Sequence, residues 1–359
     1  MNLRILHISH PVGIPVKGYG GTERVVYSLA KMQAENGHEI SIMAGKPSVI
    51  PHVRDISFVD GRNYMGRRSV AGRILTAYSL KAILKSRSHE FDIVHNHISA
   101  EAIFLSELAK SSILTTLHCP ITLRKFWPFV ITSVSRLFPR KTKFVTISKR
   151  AFQAYLPFYG KDLVTHIHNG IDVSNIPFNS SPKRDQEIQI GFLGKLIRDK
   201  RPHIAVQIAD IIHRRGYDVK LFIMGKLDFP LSNYAKILLR TVKQRKYVAL
   251  LPNMDTVDVY RVLGNCDVLL NPAFEIGLIM SQLEAMALGT PVVGFVNGSA
   301  EEVVSGGQNG YLGVDLNDLA NGCVKALDIS RTRCRRFVEE NFSEQEMYES
   351  YLQVYRSHV

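Results

Sequence analysis

Cysteine and tryptophan are scarce in this chain of 359 residues, with four Cys and one Trp. Cys119, Cys266, Cys323 and Cys334 are scattered and form no C-x-x-C pair. That spacing argues against a metal cluster or a disulfide framework and suits a reducing compartment, so a cytoplasmic location is expected. Long apolar runs are also missing. The nearest, Phe126–Phe138, is short and contains Pro128 and Arg136, whereas a spanning helix needs ~18 uninterrupted apolar residues. The opening MNLRILHISHPVG is interrupted by His7 and His10, and it reads as a first strand rather than a signal peptide. Acidic residues are few in one half only. Residues 1–170 hold 23 Lys+Arg against 10 Asp+Glu, and residues 171–359 hold 22 of each. The whole net charge of +13 therefore belongs to the first half. No recognition-helix, RNA-binding or zinc signature accompanies it, so nucleic acid is not an expected partner.

What is present is a globular composition, 45% hydrophobic and 21% charged, with length for two domains. Short apolar strands alternate with helical patterns throughout, which predicts βαβ units, parallel sheets and an α/β fold. In the first half the strands are expected at Leu3–Ile8, Glu39–Met43, Phe91–His95, Ile113–His118, Lys143–Ile147 and Leu163–His168. Helices are expected at Thr22–Glu35 and near 70–87, 100–110 and 148–156. A polar stretch, Asn175–Gln186, reads as a linker. A second βα series follows, with strands at Gln189–Leu193, Val219–Met224, Tyr247–Leu251, Val268–Asn271 and Pro291–Phe295 and helices near 201–215, 231–245, 255–263, 278–288 and 316–327. The chain ends in helical patterns at Arg331–Asn341 and Ser343–Arg356. The expected division is a first domain at 1–174, a linker at 175–186 and a second domain at 187–335. Helices within 336–359 are expected to pack back toward the first domain. Two doubly wound domains of this kind would face a central cleft with the carboxyl ends of their sheets.

Two segments have phosphate-facing character. Gly18-Tyr19-Gly20-Gly21-Thr22-Glu23 lies between the first strand and its helix, where glycines let backbone N–H groups approach an anion. It is not a dinucleotide fingerprint, because residues 10–17 separate it from the strand and Glu23 replaces the third glycine. A flexible loop that merely starts a helix is the plainer reading. In the second half, Gly194-Lys195 follows a strand and Lys200 precedes a helix. Two ammonium groups beside a helix N-terminus suit a diphosphate, although two solvated lysines would look the same.

Residues 271–293 read NPAFEIGLIMSQLEAMALGTPVV. This segment resembles the signature of glycosyltransferase family 4, the group 1 transferases with the GT-B fold. Other stretches agree in the correct order. Gly20-Gly21-Thr22-Glu23-Arg24 resembles the family's first glycine loop. Asp92-Ile93-Val94-His95-Asn96-His97 and Thr115-Thr116-Leu117-His118 resemble two strand ends. Asn169-Gly170-Ile171-Asp172 resembles the turn before the linker, and residues 298–310 resemble G-x-P-E-x-V…G-x-x-G. There are departures. Eight residues separate Glu275 from Glu284 where the family has seven, GLIM stands where G-F-G-L is usual, and Lys195 replaces an arginine. Ile276 could equally hold the first glutamate's place.

The resemblance implies retaining transfer of a sugar from a nucleotide diphosphate sugar, with UDP as the base-rate choice. It places Lys195, Lys200, Gly194 and the backbone at Gly277 and Leu278 on the diphosphate. It places Glu284 on the ribose, Glu275 and His118 on the donor sugar, and Gly20 and Gly21 on the acceptor or a phosphate. No metal or other cofactor is expected, and the chain contains no D-x-D triplet. His95 and His97 are expected to support the sheet end. A GT-B nucleotide-sugar-binding protein without transferase activity is the alternative. The acceptor is expected to be a glycan or lipid-linked. Basic runs at 62–87 and 124–150 contain no acid, and the second is interleaved with Phe126, Trp127, Phe129 and Phe138. That pattern suits peripheral binding to an anionic membrane surface.

Overall fold

The computed structural model describes residues 2–10, 12–15, 21–46, 48–57, 59–60, 87–98, 112–118, 142–180, 187–227, 229–274 and 278–358. Gly20, Glu275, Gly277, the helical patterns near 70–87 and 100–110, and most of both basic runs lie outside them. The chain divides into two compact units, Met1–Gly170 with Glu344–Val359, and Ile171–Ser343.

The first unit begins with β1 (Arg4–Ile8), α1 (Gly21–Glu35) and β2 (Glu39–Met43). Three two-residue strands follow, β3 (Gly45–Lys46), β4 (Arg54–Asp55) and β5 (Val59–Asp60), then β6 (Ile93–Asn96), β7 (Ser112–Leu117), β8 (Thr142–Thr146), α2 (Lys149–Tyr159) and β9 (Val164–His166). Seven strands form a parallel sheet in the order β4-β2-β1-β6-β7-β8-β9. Successive connections run one way from β1 and the other way from β6, so the winding reverses between them. β1 and β6 are buried along almost their whole length, as expected for parallel strands covered on both faces. On α1 the buried positions are Val25, Val26, Leu29, Ala30 and Gln33. That three-and-four spacing is an apolar stripe in which Gln33 is the polar exception. Ser148 caps α2 by accepting from the Ala151 N–H at 3.0 Å.

The second unit contains β10 (Ile188–Leu193), α3 (Pro202–Arg214), β11 (Val219–Gly225), α4 (Asn233–Lys243), β12 (Val248–Pro252), α5 (Thr256–Asn265) and β13 (Val268–Asn271). It continues with α6 (Met280–Ala287), β14 (Val292–Phe295), α7 (Ala300–Val303), β15 (Gly310–Gly313), α8 (Leu316–Lys325) and α9 (Arg331–Asn341). Its parallel sheet has the order β12-β11-β10-β13-β14-β15. The winding reverses between β10 and β13. Ser232, Asp255, Asp315 and Ser330 cap α4, α5, α8 and α9 with their side-chain oxygens. β15 and α7 have no counterpart among the sequence expectations. β15 reads GYLG, and a Cβ on Gly310 would stand 2.0 Å from the Val292 carbonyl oxygen. Glycine permits that approach to β14, and the same glycine erases the apolar signal of a strand.

The chain closes with α10 (Glu344–Arg356), which packs on α1 inside the first unit. The unit boundaries differ from the sequence expectations. Residues 336–343 stay with the second unit, and so do residues 171–174. Residues 175–180, expected in the linker, belong to the second unit as well. Carbonyls across residues 173–179 are held there, because Arg335 donates to Val173 and Ile176 and Arg331 donates to Asn179.

Candidate functional site

In doubly wound sheets, ligands bind outside the carboxyl ends of the strands where the winding reverses. The first unit's reversal point holds histidines. His7 on β1 and His95 on β6 are register partners, and His97 and His118 directly follow β6 and β7. All four rings are buried. His118 Nε2 lies 2.9 Å from His97 Nδ1, and His97 Nε2 lies 3.0 Å from His7 Nδ1. His7 Nε2 lies 2.6 Å from Gln33 Oε1 on α1. Gln33 Nε2 donates to the Tyr355 hydroxyl on α10 at 3.0 Å. The same hydroxyl lies 2.7 Å from His95 Nδ1, while His95 Nε2 lies 2.8 Å from Thr116 Oγ1. Tyr351 joins at 2.9 Å from Thr116 Oγ1.

Burial penalises the charged form of each ring. It pushes His7 down to about 4 and His118 to about 3, and His95 and His97 well below the ordinary value. At neutral pH the four rings are therefore uncharged, each with one donor and one acceptor nitrogen. Burial likewise raises the Tyr351 and Tyr355 hydroxyls, so both stay protonated. His95 and His97, expected only to support the sheet end, are central members of this network. Gln33, Thr116, Tyr351 and Tyr355 were not among the expected site residues. The available signal was polar or half-polar residues on apolar helix stripes, Gln33 on α1 and Tyr351 with Tyr355 four apart on α10.

The second unit's reversal point lies between β10 and β13. Gly194 is buried, Lys195 is exposed and Lys200 is half-buried. A Cβ on Gly194 would stand 3.8 Å from Lys200 Cγ, so the lysine stem lies against the end of β10. Gly225, at φ 147°, admits the Gly194 carbonyl to a distance that any side chain would block. α3 then starts with Pro202 after the left-handed Arg201 (φ 57°), and no N-cap side chain covers its first N–H groups. These uncapped groups carry the positive end of the helix dipole.

Arg201 reaches across to the β13 side. Its guanidinium carbon lies 3.9 Å from the centroid of Phe274, which stacks on Phe295 with ring centroids 5.1 Å apart. Beyond Phe274, Leu278 and Ile279 are buried, and Ile279 gives α6 no side-chain cap. Glu284 lies on α6 and is fully buried. Arg331 holds this helix from behind. It donates to the carbonyls of Gly264, Cys266 and Leu288 and to Thr290 Oγ1. A cation at the ends of α5 and α6 offsets the negative end of both helix dipoles.

Cys266, Cys323 and Cys334 are buried, and burial raises their thiols. None of the three is a reactive thiolate. Among the described residues no helix is long and apolar enough to cross a membrane.

Two family models match adjoining parts of the chain, together residues 19–342. The Glycosyltransferase Family 4 model matches residues 19–175, and the Glycosyl transferases group 1 model matches residues 174–342. The glycogen synthase of Mycobacterium tuberculosis is 25% identical over 345 residues, covering 86% of this chain and 81% of that protein. The capsular polysaccharide biosynthesis glycosyltransferase CapM of Staphylococcus aureus is 28% identical over 177 residues, about half of each chain (47% and 46%). Among solved structures, Anabaena HepE in complex with UDP and glucose superposes with a TM-score of 0.77 at 18% identity, covering 99% of this chain and 100% of that one. That likeness is one of fold, two Rossmann-like domains of GT-B type. With the motif segment at residues 271–293 and both family models in register with the two units, the chain belongs to the group 1 glycosyltransferases, GT-B type.

Proposed function

We propose that the protein is a retaining, metal-independent hexosyltransferase. In this reading it moves a sugar from a UDP-sugar to a glycan or lipid-linked acceptor in cell-surface polysaccharide or glycolipid synthesis. The observation that carries the reading is the second unit's reversal point. Lys195, Lys200 and the uncapped start of α3 face one strand end, and Glu284 lies on the helix that follows the neighbouring strand. The names of the relatives support the rest. HepE was solved with UDP and glucose, and CapM is named for capsular polysaccharide biosynthesis.

The chemistry follows from charge. The bond between the sugar's anomeric carbon and the diphosphate oxygen breaks, and a bond to an acceptor oxygen forms. The acceptor's proton leaves with the diphosphate. Negative charge grows on the leaving group, and fixed ammonium groups and helix N–H groups stabilise it without reorganising. Two lysines and a helix dipole can supply this in place of a divalent cation. Glu284 would accept from ribose hydroxyls, the role that its place in the motif at residues 271–293 implies. Glu275 retains its proposed place on the donor sugar from the motif match alone.

The test is a panel of nucleotide sugars incubated without acceptor and with EDTA, followed by lipid-linked and glycan acceptors. Slow release of UDP from one donor, unaffected by EDTA, is expected. A product with the donor's anomeric configuration is expected with the right acceptor. Tight nucleotide-sugar binding without release or transfer would instead favour the binding-protein reading.

A further inference from the structure

The hydrogen bonds among the buried histidines have a direction. We propose that Gln33 sets it and thereby holds His118 in one tautomer, with Nε2 protonated and Nδ1 offered as a bare lone pair to a ligand hydroxyl. Only the ligand's identity as a sugar rests on the transferase reading. The direction itself rests on the geometry of the first unit.

The argument starts at the Gln33 amide. Its Nε2 donates to the Tyr355 hydroxyl at 3.0 Å, which leaves Oε1 facing His7 Nε2 at 2.6 Å. An amide oxygen only accepts, so His7 Nε2 carries the hydrogen. His7 Nδ1 is then a lone pair and accepts from His97 Nε2 at 3.0 Å. His97 Nδ1 in turn accepts from His118 Nε2 at 2.9 Å. The chain ends there. His118 Nδ1 has no hydrogen-bond partner among the described residues. His118 is also the most exposed of the four, at 9% against at most 1% for the others.

The second arm agrees. The Tyr355 hydroxyl, having accepted from Gln33, turns its hydrogen to His95 Nδ1 at 2.7 Å. His95 Nε2 donates to Thr116 Oγ1 at 2.8 Å, which leaves the threonine hydrogen for Tyr351 at 2.9 Å. All four histidines are thus protonated on Nε2, the tautomer that neutral imidazole prefers in water. Turning the amide over would reverse every bond in both arms and place all four hydrogens on Nδ1. His118 would then present an N–H instead of a lone pair. Gln33, His7 and His97 are positioning residues in this scheme. The consequence for specificity is that the His118 position favours a neutral hydroxyl and disfavours a carboxylate or carbonyl, which would meet lone pair with lone pair.

A metal site is the competing use of the same rings. One nitrogen from each of His7, His95 and His97 lies within 4.8 Å of the others. Every ring nitrogen of the three already has a hydrogen-bonding partner, and a cation would have to displace some of them.

Long-range proton–nitrogen correlation spectra of the ¹⁵N-histidine-labelled full chain test this without any activity. Four neutral rings protonated on Nε2 are expected, with His118 Nδ1 of the unprotonated type. An Nδ1-protonated or mixed His118 in the wild type would overturn the proposal. Gln33→Leu should leave His118 in a mixture of tautomers, and it should raise the donor KM about tenfold, the effect of one hydrogen bond, with kcat changed less. Tyr355→Phe, which frees the amide to turn, should give the same mixture to a lesser degree. Gln33→Leu that folds and keeps a single His118 tautomer would also overturn the proposal. If that variant does not fold, the wild-type spectrum decides alone. Zn(II) titration that saturably shifts His7, His95 and His97 together would replace the chain with a metal site. The expected spectrum with no sugar transfer in any assay would leave the chain standing and remove only the transferase reading.

Discussion

His97 Nδ1 and His118 Nε2 meet at 2.9 Å with both rings inside the first unit. A residue on one strand end is thus oriented by a residue on the next, and neither ring carries charge at neutral pH.

Stability should fall steeply in mild acid. In the unfolded chain each histidine titrates near its ordinary value of about 6.5, whereas burial holds His7 to about 4 and His118 to about 3, with His95 and His97 also well below. Between those values the unfolded chain binds protons that the folded chain refuses. The contribution is complete above about pH 6.5 and is lost as pH falls toward 4. Four such groups give a slope of up to about 5 kcal/mol per pH unit. Urea unfolding at pH 7, 6 and 5 measures it, and a flat profile would show that the folded rings accept protons.

Lys200→Ala should lower sugar transfer by about 10²-fold or more, the scale seen when one charge-stabilising donor is removed. The circular dichroism spectrum should be unchanged. Wild-type turnover in this variant would remove Lys200 from the diphosphate.

Glu284→Ala should weaken nucleotide binding by about 1.5–3 kcal/mol, the range for hydrogen bonds to a charged group. Isothermal calorimetry with UDP reads this directly. Equal affinity would show that the buried carboxylate serves only its own unit's packing.

Arg331→Met should destabilise the second unit by about 3 kcal/mol or more, since several buried carbonyls lose their donor. The thermal midpoint should drop by roughly 6–12 °C for a unit of this size. A shift of under a degree would mean that water replaces the guanidinium.

Vesicles of anionic lipid should carry the protein upward in a flotation gradient, with neutral vesicles leaving it at the bottom. Added salt should release it, because each Lys or Arg near the surface contributes about 1 kcal/mol of screened attraction. Flotation that is absent, or insensitive to salt, would leave the basic runs at 62–87 and 124–150 a matter of solubility.

Much of the fold is legible in the sequence because its signals are local. Val268–Asn271 and Arg331–Asn341 stand at their expected positions, since an apolar strand between turn residues and a capped helix need no distant partner to be recognised. Gly310–Gly313 is illegible for the opposite reason. Its strand character comes from pairing with β14, which selects glycine and leaves no alternating pattern. In the site, Lys195, Lys200, Glu284 and His118 stand out by motif. Gln33 and Tyr355 carry only the weaker mark of a polar or half-polar residue on an apolar helix stripe.

Order along the chain, the alternation of strand and helix, and the restriction of excess charge to residues 1–170 follow from residue pattern and charge count. The histidine chain does not. It joins His7 to His97 across 90 residues and Gln33 to Tyr355 across 322, so it exists only once α1 and α10 pack together over the sheet. Helix and strand periodicities act over a few residues. A tautomer is chosen by whichever acceptor the folded chain brings to each nitrogen, and for His118 that choice starts at an amide oxygen on α1.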